Sequence, residues 1–117
     1  MPASVRTPSP VAALVTDLSV SGAQIAMASG PAMAAGQTLE LSMRHSLFHR
    51  EFVLTLSCRV AADQGALDND HPSIHFYGLV FDAPSESQQL ILHGIVQEHL
   101  AREADRLGQL LLSIAAE

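Results

Sequence analysis

The chain has 117 residues, 48% apolar and 15% charged, which suits one folded domain and excludes a disordered segment. It has no lysine, and its six arginines stand against twelve acids, for a net charge of −6 at pH 7. That balance excludes a general surface for DNA or RNA, where clustered cations supply most of the affinity, but leaves room for a small anion held by local arginines and backbone amides.

Residues 1–10, rich in Pro and Ser, read as a flexible N-terminal arm, extended or disordered, with no apolar signal-peptide core. Val11–Leu18 suits a strand that ends at the polar turn Ser19–Gly22, and Ala23, Ile25 and Met27 then alternate with Gln24 and Ala26 as a second strand. Ser29-Gly30-Pro31 breaks it, and Gly36 punctuates the approach to the next. Leu39, Leu41 and Met43 alternate with polar residues, as do Phe52, Leu54, Leu56, Cys58 and Val60. These are the clearest period-two patterns, each with one buried face, and His45–His49 between them reads as a hairpin. Cys58, the only cysteine, falls on the apolar face and is expected as a small buried hydrophobe outside any disulfide framework. Residues 63–72 read as a polar surface loop. Ile74–Phe81 is apolar on both faces, so another element is expected to cover its outer side.

That element is a C-terminal helix. Ser85 and Gln88 have capping-box spacing, and Leu92, Ile95, Val96 and Leu100 form an apolar stripe behind them. The series Leu100, Ala104, Leu107, Leu111 and Ile114 advances by alternating steps of four and three, a short heptad seam. It predicts a helical extension over 101–117 that drives homo-oligomer formation; the alternative is that these leucines fold back onto the chain's own barrel. No stretch approaches the ~20 apolar residues needed to span a bilayer, so the chain reads as cytoplasmic, without membrane insertion.

The turn after the first expected strand reads Asp17-Leu18-Ser19-Val20-Ser21-Gly22, a D-x-S-x-x-G pattern. An Asp carboxylate can accept hydrogen bonds from guanine N1–H and its exocyclic amine, a Ser hydroxyl can donate or accept, and Gly permits a positive φ or a close ligand approach. Equally, Asp17 and Ser19 can satisfy the turn's own amides. Followed by Ala23-Gln24-Ile25, a strand preceded by Gly36, and Tyr77-Gly78-Leu79-Val80-Phe81, the motif resembles that of PilZ domains, with a likeness running from about Val11 to Leu100.

The resemblance implies an all-β fold, a small antiparallel β-barrel with a C-terminal α-helix over 11–100. It implies a regulatory or adaptor role in bacterial cyclic di-GMP signalling, with that dinucleotide as ligand, no cofactor and a protein partner. Asp17, Ser19 and Gly22 would form the guanine side of the site. The family's R-x-x-x-R clamp lies further upstream, with a strand between. Here Arg6 is the only upstream arginine and the only candidate to stand in for the clamp. The expectation is that the family's first strand is missing, leaving Val11–Leu18 or its neighbour as an open edge. The chain is then either trimmed from a longer protein or a nucleotide-independent interaction module built on the same barrel.

Six histidines, His45, His49, His71, His75, His93 and His99, lack the spacing of a structural zinc site, and no metal is expected. Arg44 and Arg50 make the one locally basic patch and read as solvated. No nucleophile–base pattern, phosphate loop or paired carboxylates emerge, so an enzyme is not expected.

Overall fold

Alternation of apolar and polar residues builds six antiparallel strands and one helix: β1 (Pro2–Arg6), β2 (Pro10–Leu18), β3 (Gly22–Met27), β4 (Thr38–Leu47), β5 (Arg50–Ala66), β6 (His75–Phe81) and α1 (Glu86–Ala115). The computed structural model describes residues 1–7, 9–28, 30, 32–47, 49–67, 70 and 73–115. The strands close into a barrel in the order β1-β2-β3-β6-β5-β4. Inward positions two apart on each strand form one core, with Ile25, Leu41, Met43, Leu56, Cys58 and Val60 almost wholly enclosed.

Two expectations about the N-terminus fail together. Pro2–Arg6 is a strand rather than a flexible arm, pairing with β2 through Val5↔Val11 and with β4 through Val5↔Leu41. The barrel therefore has no gap, and Val11–Leu18 is not an open edge. Val5 is fully buried in the core. The flanking prolines cost little: Pro2 opens its strand and Pro10 opens the next, positions where a missing N–H is tolerated.

The expected surface loop over 63–72 begins later than anticipated. β5 continues through Asp63, Gln64, Gly65 and Ala66, because register shifts at Val60/Ala62 and Asp63/Gly65 let polar residues pair with β6. Gly65 takes a positive φ of 85° there.

The capping box forms. The Ser85 amide donates to Gln88 Oε1 (2.8 Å) and the Gln88 amide to Ser85 Oγ (3.2 Å). Gln88 Nε2 also donates to Thr55 O (2.7 Å), which ties the helix start to β5. Leu92 and Ile95 are fully buried and complete the core. The main packing of α1 is on β4 and β5 rather than over β6, whose outward Val80 stays 39% exposed; the expected cover of the last strand is thus not supplied there. Nor do the distal leucines fold back: Leu107, Leu111 and Ile114 are exposed. No helix among the described residues is long and apolar enough to cross a membrane.

Because Val5 fills the barrel, Val5→Ala should destabilise the fold by about 1.5–3 kcal/mol in urea melts. An unchanged midpoint would mean that the N-terminal strand is dispensable.

Candidate functional site

The D-x-S-x-x-G turn links β2 to β3 at one end of the barrel, where a bulge lies between Val15 and Asp17 in the β2–β3 register. Its hydrogen bonds are mostly internal. Asp17 Oδ1 accepts from the Leu18 amide (3.0 Å), and Ser19 Oγ accepts from the amides of Ser21 (3.2 Å) and Gly22 (3.1 Å). The Ser19 amide donates in turn to Gly22 O (2.9 Å). This is the arrangement in which Asp and Ser side chains satisfy a turn's own backbone.

Gly22 is explained by packing. A Cβ there would lie 2.2 Å from Leu79 O of β6, too close for any side chain, while its φ is not in the left-handed region. The close approach that Gly22 permits is therefore that of a neighbouring strand.

Beside the turn lies an open depression of about 340 Å³ lined by Asp17, Ser19, Gly22, Gln24, Gln64 and Gly78, among others. Thr16 Oγ1 donates to Gln24 Oε1 (2.8 Å), and Gln24 Nε2 to Gln64 Oε1 (2.6 Å), giving a polar floor across β2, β3 and β5. Among the described residues, Asp17 is the one charged residue of the lining, and no cation contributes. Sequence reasoning missed Gln24 and Gln64. The alternation of β3 was the available signal for the first, since it places Gln24 outward; nothing local pointed to the second.

The structure unites Asp17, Ser19 and Gly22 but sets Arg6 apart. Arg6 pairs with Pro10, at the opposite end of β2 from Asp17, a separation of about 20 Å along the strand. It lines a different hollow of about 740 Å³ with Glu40, Ser57 and Asp82. The chain start, by contrast, lies near the turn: the Met1 amino group donates to Val15 O (3.0 Å), and the Val15 amide to Met1 O (2.7 Å).

Among the described residues, no cluster of three or more His, Cys, Asp or Glu side chains could hold a metal ion; His71 lies outside them. His45 Nε2 meets Glu98 Oε2 at 3.2 Å, joining β4 to α1, and His75 bonds Asp63. The Gly65 amide, and then the His75 bond, hold the Asp63 carboxyl below its usual range. Arg44 pairs with Glu51 (3.3 Å) on the hairpin surface. Burial pushes the Cys58 thiol up to about 12, so it is a poor nucleophile.

The model of the PilZ domain family matches residues 2–98, and the chain belongs to that family. No curated protein matches it.

Two outcomes follow from this geometry. Gly22→Ala should destabilise the fold by about 2–3 kcal/mol with no nucleotide present, because the clash is with backbone; an unchanged urea midpoint would contradict that packing. Asp63 has a depressed folded-state pKa, so its contribution is present above its ordinary pKa of about 4 and lost as pH falls through the folded value. Asp63→Asn should therefore lower the urea midpoint at pH 7 more than at pH 3, and equal losses would remove the ionised carboxylate from the account.

Proposed function

We propose that this PilZ domain serves as a non-catalytic adaptor in bacterial cyclic di-GMP signalling, acting through protein contacts in the cytoplasm, and that its D-x-S-x-x-G turn does not by itself hold the dinucleotide. The observation that carries this reading is the charge of the depression: among the described residues, one carboxylate and no cation. Cyclic di-GMP presents two phosphates, and in the family an arginine pair meets them through planar, charge-assisted contacts. Arg6 lies at the far end of β2 and cannot reach a ligand seated on Asp17. Each absent arginine–phosphate contact removes about 1.5–3 kcal/mol, or one to two decades of affinity.

A receptor reading has one observation in its favour. Met1 sits against Val15, two residues before Asp17, so any segment preceding it in a longer protein would pass close to the turn. Asp17, Ser19 and Gly22 would then supply the guanine side and the preceding segment the arginines.

Isothermal titration of the chain with cyclic di-GMP tests the proposal. The expected result is no binding tighter than about 100 µM; submicromolar affinity would overturn it. A variant carrying an R-x-x-x-R segment ahead of Pro2 tests the second reading. Binding gained there and lost again on Asp17→Ala would establish the turn as a latent guanine site, whereas binding indifferent to Asp17 would remove the turn from it.

A further inference from the structure

An open groove of about 1090 Å³ separates the first half of α1 from the tip of the β4–β5 hairpin, away from the turn and its depression. Leu90, Ile91, Gly94 and Ala101 line one wall and Phe52 the other. The helix wall runs from Leu90 to Arg102, roughly 18 Å or a little over three turns. Leu90 stands 75% exposed at the mouth, so it can be changed with little cost to the fold.

The charge around this groove runs against that of the chain, whose net charge is −6. Alternation along β5 sets Arg50 on the side of Phe52, one cross-strand pair nearer the tip. Glu51 falls on the other side and pairs with Arg44 at 3.3 Å. Among the described residues Glu98 is the one acid of the lining, and both its oxygens are taken. His45 Nε2 meets Oε2 at 3.2 Å, and Arg102 Nη2 donates to Oε1. What faces an occupant is therefore Arg50, the remaining N–H groups of Arg102, and the imidazoles of His49 and His93. Arg50 has no ion pair among the described residues.

We infer that the groove receives an acidic amphipathic helix of about three turns from a partner protein, its apolar side on Phe52, Leu90 and Ile91 and its carboxylates toward Arg50 and Arg102. This rests on the adaptor reading and supplies the partner's chemistry. Length and charge select that occupant together. An apolar trough about three turns long matches the anchors that a helix presents at i, i+3, i+4 and i+7. Unspent cations at its rim, in a chain otherwise rich in acid, steer an acidic partner to this end of the molecule and repel a basic one. A slender acyl chain fits less well, because small-ligand sites enclose most of their ligand and this groove is open along its length.

The test is isothermal titration of the intact chain, at low salt, with two synthetic peptides of about fifteen residues. One, the Glu probe, carries leucines at helical spacing on one face and glutamates on the other; the Lys probe has lysines in place of the glutamates. The Glu probe should bind at least about tenfold tighter than the Lys probe. Leu90→Asp should weaken it at least about tenfold with an unchanged melting midpoint. Arg50→Glu should weaken the Glu probe while strengthening the Lys probe, an opposition that apolar stickiness alone cannot produce. Equal affinity for the two probes, no saturable binding below about 1 mM, or indifference to Leu90→Asp overturns the inference. So does laurate bound more tightly than the Glu probe, which gives the groove to an acyl anion. A dimer in sedimentation that Leu90→Asp dissolves gives it to a second copy and overturns the inference too. None of these results touches the adaptor reading, which falls to submicromolar binding of cyclic di-GMP.

Discussion

Pairing of Pro2–Arg6 with two strands at once is the constraint on which the rest of the molecule depends. With β1 in place every strand has a neighbour on each side; without it β2 over residues 10–14 and β4 over residues 40–43 would present unpaired N–H and C=O groups. Closure also decides which side chains face inward, and therefore why a chain with so few aromatics can still form a core. Leu, Met, Val and Ile from all six strands converge on one axis, and Leu92 and Ile95 of the helix complete it. The same closure defines two ends: Asp17 lies toward one, with Met1 nearby, and Arg6 toward the other.

Much of this was legible in the residues, for definable reasons. Leu39–Met43 and Phe52–Val60 are long enough for a period of two to stand out, and Ser85 and Gln88 announce the helix by spacing alone. β1 was not legible: it is five residues long, begins at a proline, and has Val5 as its one fully buried side chain. What makes it a strand is pairing with residues 11 and 41, a tertiary fact that no local pattern records. The polar tail of β5 was hidden differently, since bulges break the alternation that would have revealed it. In the candidate site the turn itself was readable, but Gln64 reaches it from 40 residues beyond Gln24, and the demand on Gly22 comes from β6.

The residues of the turn have structural employment of their own. Asp17, Ser19 and Gly22 each have a structural reason to be present: the carboxylate accepts from the following amide, the hydroxyl satisfies two amides, and the glycine makes room for Leu79 O. A motif that the fold itself requires persists whether or not a nucleotide binds. Arginines of a clamp have no such second employment, because their value lies almost wholly in the phosphates they meet.

The helix divides the same way. Its first half is tied to the barrel by Gln88 to Thr55, by buried Leu92 and Ile95, and by Glu98 to His45, so its direction is set by the domain. Glu98 is also the last residue of the family match. From Leu100 to Ile114, every residue whose burial is described is exposed, Gly108 apart. The tether matters for the second half nonetheless, since the groove between α1 and the β4–β5 hairpin exists only while the helix is held at that angle. The leucine row lies about a quarter-turn or more round the helix from that groove, so the contacts that fix the helix on the barrel set the direction of both while burying neither.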